Sequence, residues 1–92
     1  MIENNNEFEK RVEGYIGKIV TVKYYDKNRG ETIIERLAVS EITPTHIMMI
    51  TTYGGVLGLV GLAKSKIESI YSEQKNELIE NPNYTNENAM KL

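Results

Sequence analysis

From Ile42 to Ala63 the chain runs for twenty-two residues without an Asp, Glu, Lys or Arg. Nothing else limits the fold as strongly. Such a run is either a helix that crosses lipid or a pair of strands buried in a small domain. Length suits the helix, because about 20 apolar residues span a bilayer. Gly54 and Gly58 have the G-x-x-x-G spacing that lets lipid-embedded helices approach. Lys64 and Lys66 follow where flanking anchors sit. Helix propensity opposes that picture. Gly54, Gly55, Gly58 and Gly61 each cost about 1 kcal/mol in a helix in water. Gly54-Gly55 also lies midway between two β-rich runs, where a hairpin needs its turn. The expected structure is a hairpin, and a membrane-associated protein is the minor alternative.

The flanking sequence supports strands. In "GKIVTVKYYD", 17–26, Val20, Val22 and Tyr24 alternate with Thr21, Lys23 and Tyr25, the period of a strand. "DKNRG", 26–30, is a turn cluster. Residues 31–42 read as a long second strand, with Ile33, Leu37 and Val39 on one face and Ile34, Ala38 and Ile42 on the other. Pro44 has no N–H to donate and breaks the ladder. Strands three, four and five are expected at 46–52, 56–62 and 67–72. Met48 and Met49 then point to opposite faces. So do Gly58 and Gly61, which mark a bend or a close backbone approach.

Before the strands, "NNNEFEKRVEG" predicts a short helix. Asn6 can cap it, Glu7 and Glu9 suit its positive end, and Phe8 and Val12 share one face. After the strands, Leu78 and Ile79 suggest one helical turn, and the remainder is Asn-rich with the composition of a disordered tail. The expected fold is therefore mainly β: a small, five-stranded, strongly bent antiparallel barrel with a short N-terminal helix. It occupies residues 1–72, followed by a polar tail, 73–92, partly helical or disordered.

A chain of 92 residues makes one small domain with a modest core, so oligomerisation is an expected source of extra stability. Cysteine is absent, which excludes disulfides and thiolate metal sites. The start "MIENNNEFEK" is acidic and polar, the opposite of a signal peptide, so the expected location is cytoplasmic. Charge is uneven. Residues 1–13 hold four Glu against Lys10 and Arg11, and residues 73–92 hold four Glu against Lys75 and Lys91. The middle, 14–72, holds seven Lys/Arg against five acids. A slightly basic body neither requires nor forbids nucleic acid, since binding depends on local charge.

The helix, the five short strands, the long bent second strand and the short joint before the fifth resemble the Sm-like small β-barrel family over residues 5–72. The nearest local likeness is "LAKSKIESI", 62–70. The family places there an apolar residue, Arg-Gly, two polar residues and Ile-x-x-Ile, and Leu62, Ile67 and Ile70 fit the apolar positions. Ala63 and Lys64 stand where the Arg and Gly belong. The family's first motif is not present in "RLAVSEITPTHIMMI", where His46 lies near its Asn position. The resemblance implies RNA binding. It also implies rings in which strand four of one subunit pairs with strand five of the next.

Candidate site residues follow from chemistry. His46, the sole histidine, can stack on a base or donate a hydrogen bond; otherwise it is a strand-end side chain. Lys64 and Lys66, around Ser65, can meet phosphates or form an ordinary solvated turn. Tyr53, in a turn beside two glycines, can stack on a base. Lys18, Lys23, Lys27 and Arg29 offer a second basic patch. Catalytic groups are sparse: no Cys, one His, one Asp, and Glu31, Glu35 and Glu41 without a signalled pocket. One histidine lacks the companions a metal needs, and "GGVLGLVG" lacks the lysine and helix of a phosphate loop. The expected function is non-enzymatic and uses no cofactor or metal. It is nucleic-acid (RNA) binding through His46, Tyr53, Lys64 and Lys66, by a homo-oligomer formed through strand-edge pairing. The alternative is a protein-interaction or structural module without nucleic-acid affinity.

Overall fold

The computed structural model describes residues 5–53 and 55–85, with side chains over 7–51 and 55–85. A helix, α1 (Asn5–Glu13), precedes strands β1 (Ile19–Asp26), β2 (Glu31–Ile42), β3 (His46–Tyr53) and β4 (Val56–Ala63). A 3₁₀ turn, Lys64–Lys66, then leads to β5 (Ile67–Ser72) and β6 (Glu77–Glu80). All neighbours are antiparallel, in the order β4-β3-β2-β1-β5-β6.

The charge-free run is a hairpin. β3 pairs with β4 from His46↔Ala63 to Tyr53↔Val56, so the chain reverses across two residues. Gly55 has φ +82°, a conformation that L side chains resist and that tight hairpin turns require. Among the described residues, no helix is long and apolar enough to cross a membrane.

Alternation decides which side chains enter the core. Val20 and Val22 of β1, Leu37 and Val39 of β2, Ile47 and Met49 of β3, and Ile67 and Ile70 of β5 are all buried. Phe8 and Val12 project from one face of α1, as their four-residue spacing predicts, and join the same cluster with Tyr15. The expected face for Ile42 is corrected. A one-residue bulge shifts the register between Val39 and Glu41, and after it Ile42 packs against the core cluster. One inserted residue is enough to exchange the two faces of a strand.

Two features of the expected fold are also corrected. The sheet has six strands rather than five, and it is not closed into a barrel. The sixth strand lies where a helical turn was expected. Ile79 is buried and Leu78 is exposed, the in–out alternation of a strand, and β6 occupies the outer edge of β5. The sheet is nevertheless curled. β4 and β5 stand four strand spacings apart in the order, about 19 Å if flat. The three-residue 3₁₀ turn that joins them advances only about 6 Å, so the sheet must roll to bring their ends together.

Candidate functional site

The turn between β2 and β3 is built by Thr43. Its Oγ1 donates to the His46 carbonyl at 3.1 Å and accepts from the His46 amide at 2.9 Å. Its own amide donates to the same carbonyl. His46 is half-buried, with Nδ1 2.7 Å from Thr45 Oγ1. The Lys64 amide donates to the Thr45 carbonyl at 3.0 Å, which fixes the 3₁₀ turn beside this corner. His46 and Lys64 thus line one cleft of about 420 Å³, with Phe8, Glu9, Pro44 and Asn81 among its walls.

Lys64 does not present a free charge in that cleft. Its Nζ lies 2.8 Å from Glu9 Oε2, and the side chain is only 17% exposed. Lys66, two residues on, projects to a different place, with Nζ 5.9 Å from the centre of the Tyr25 ring. Tyr53 ends β3, at the opposite end of that strand from His46, about 23 Å away at strand rise; its ring lies outside the described side chains. The fold brings His46 and Lys64 together and holds Tyr53 and Lys66 apart from them.

The basic body is folded against acids. Arg36 meets Glu73, Lys23 meets Glu68, Arg29 meets Asp26 and Arg11 meets Glu77. Glu9 and Glu73 come from the acidic ends and pair with cations of the middle, so the uneven charge along the sequence becomes a mosaic in space. The second basic patch contributes Lys23 and Arg29 to these pairs. Among the described residues, no cluster of three His, Asp or Glu side chains is placed to hold a metal.

Two residues that the sequence did not single out tie the C-terminal segment to the rest of the fold. Asn81 is buried, and its Nδ2 donates to the carbonyls of Lys64 at 2.8 Å and Ile67 at 2.9 Å. Its Oδ1 accepts from the Asn83 amide, and the Thr85 amide donates to the Ser65 carbonyl. Residues 81–85, read as disordered from composition, thereby roof the 3₁₀ turn. The signal was present in "NPN", an Asn-Pro-Asn turn cluster. Glu77 is the second. It accepts from Tyr15 Oη and, at 2.6 Å, from Arg11 Nη2, joining α1 to β6. The Tyr15 hydrogen bond, and then Arg11, hold the Glu77 carboxyl below its ordinary range, and the same bond with burial raises the Tyr15 hydroxyl.

The outer face of the sheet differs in kind. Ile19 lies opposite Ala38, Ala38 opposite Ile50, and Ile50 opposite Leu59. This makes one apolar row across four strands. Leu57 and Leu59 are 72% and 67% exposed, and Ile19 is 58% exposed. Ile19, Arg36, Ala38, Ile50 and Leu57 line a shallow groove of about 400 Å³. Gly61 belongs to the same face, and the sulfur of Met48 lies 3.0 Å from where a Cβ would stand. The row ends at β4, whose outer edge carries no strand among the described residues. By contrast β5, the edge used for ring assembly in the resemblance, already has β6 on its outer side.

No family model, curated protein or solved structure matches this chain.

Proposed function

We propose that this protein is an interaction module that receives an extended polypeptide strand on β4. The carrying observation is the character of that edge: eight residues, Val56–Ala63, without a charge or a proline and without a neighbouring strand on the outer side among the described residues. Edge strands that must stay single are shielded by charges, prolines, bulges or short length. β6 follows that rule, with four residues and Glu77 and Glu80 at its ends. β4 does not. Strand addition to an exposed edge supplies main-chain hydrogen bonds, and side chains beside the edge supply selectivity. Leu57, Leu59 and the groove beside them are suited to that role.

Nucleic-acid binding has weaker support. It requires His46, Tyr53, Lys64 and Lys66 to act on one ligand, and only His46 and Lys64 share a cleft. Lys64 is also committed to Glu9. The experiment is a pair of titrations of isotope-labelled protein at low salt. One uses a lysine-tagged synthetic peptide carrying residues 56–63, the other an RNA oligonucleotide. The peptide is expected to shift β4 resonances and the RNA to leave the spectrum unchanged. RNA binding that weakens steeply with salt, with shifts at His46, Lys64 and Lys66 and none at β4, overturns the proposal.

A further inference from the structure

We infer that the strand received on β4 is β4 of a second copy, antiparallel, across a twofold axis at Leu59. This rests on the strand-acceptor function proposed above and names its partner. An isologous contact must be complementary to itself. β4 meets that demand electrostatically, because a neutral strand pairs with its own copy without like charges facing each other. A head-to-tail contact with β6 of another copy sets Glu77 and Glu80 beside this apolar edge, and Glu77 already serves Tyr15 and Arg11.

The register follows from the outer face. A twofold perpendicular to the sheet keeps outer residues beside outer residues, so the axis falls on a residue rather than between two. With the axis at Leu59, the row Ile19–Ala38–Ile50–Leu59 continues directly into the same row of the partner in reverse. Leu57 then lies opposite the partner's Gly61, and Val60 opposite the partner's Gly58. Each glycine of β4 thus faces a branched side chain, and the bulky and bare positions interleave. Leu57 comes to rest where the Met48 thioether covers Gly61. Both Leu57 and Leu59, exposed in the single chain, gain a cross-strand neighbour on the outer face.

The test uses the absence of cysteine from the sequence. Opposed residues of antiparallel strands have Cα atoms about 4.5–5.5 Å apart, within disulfide reach. Leu59→Cys is expected to cross-link to a covalent dimer with diamide as oxidant, while Val56→Cys, opposed by Leu62, stays largely uncrosslinked. Sedimentation equilibrium of the unmodified protein is expected to show a monomer–dimer equilibrium, and Leu59→Lys, which sets two ammonium groups together, to weaken it at least tenfold. Both Leu59 variants lie on an exposed position, and circular dichroism verifies that they fold. A monomer at every concentration overturns the inference, as does a dimer in which Leu59→Cys fails to cross-link. If the monomer still binds the 56–63 peptide at β4, the acceptor function stands and only its partner is wrong. If the peptide does not bind either, both fall.

Discussion

Lys64 and Glu9 face each other at 2.8 Å across the joint between the 3₁₀ turn and α1. Shielding of both side chains makes the pair structural. Removing one partner strands a half-buried charge, at a cost of about 1–3 kcal/mol. Lys64→Met and Glu9→Gln are therefore each expected to lower the denaturation midpoint without changing the slope of the transition. A phosphate-binding lysine behaves in the opposite way, since its loss leaves stability intact and weakens ligand affinity.

Asn81 donates to two carbonyls at the two ends of the 3₁₀ turn, those of Lys64 and Ile67. Asn81→Ala removes both hydrogen bonds from a buried position and is expected to cost about 1–3 kcal/mol. Asn81→Asp is expected to be at least as damaging, because a carboxylate offers no donor to either carbonyl. Urea unfolding measures both. Amide exchange is expected to quicken in residues 81–85 and around Ser65 before it does in β1 or β2.

Stability is expected to fall at both ends of the pH range. Glu77 is held below its ordinary carboxyl range by Tyr15 and then Arg11. Its contribution is complete above the unfolded value, near 4.5, and disappears as pH drops through the lowered folded value. Tyr24 is pushed up to about 12 by burial and by its 2.8 Å hydrogen bond to Glu35. The unfolded tyrosine ionises first, so this contribution is full below about pH 10 and fades between 10 and 12. Melting temperatures against pH check the signs. Glu77→Gln is expected to flatten the acid limb, and Tyr24→Phe to reduce the alkaline one.

Gly55 adopts φ +82° between β3 and β4, with open space where a Cβ would stand. Conformation rather than crowding therefore limits substitution. Gly55→Ala is expected to cost about 1 kcal/mol, read as a lower denaturation midpoint with the sheet spectrum unchanged.

Much of this architecture was legible because periodicity reports burial. The alternation of Val20 and Val22, the four-residue spacing of Phe8 and Val12, and Gly55 between apolar runs each point to their observed places. What escaped depends on contacts distant in sequence. "ELIE" is too short to show a period; it is a strand because β5 offers an edge and Ile79 finds the core. The bulge after Val39 leaves no local mark, yet it moves Ile42 to the core face. Candidate ligand residues were chosen by chemical type, and type does not reveal that Glu9, fifty-five positions away, occupies Lys64. The absence of charge from 56–63 was visible from the start. The expected edge position of that strand is the one observed.

Hydrogen exchange along β4 tests the central proposal most directly. In an edge strand, alternate amides point away from the sheet and exchange with water. With the protein diluted to its monomer, adding the 56–63 peptide is expected to slow those outward amides within 56–63 while their inward neighbours, already bonded to β3, change little. Unchanged exchange throughout β4 at saturating peptide contradicts the proposal.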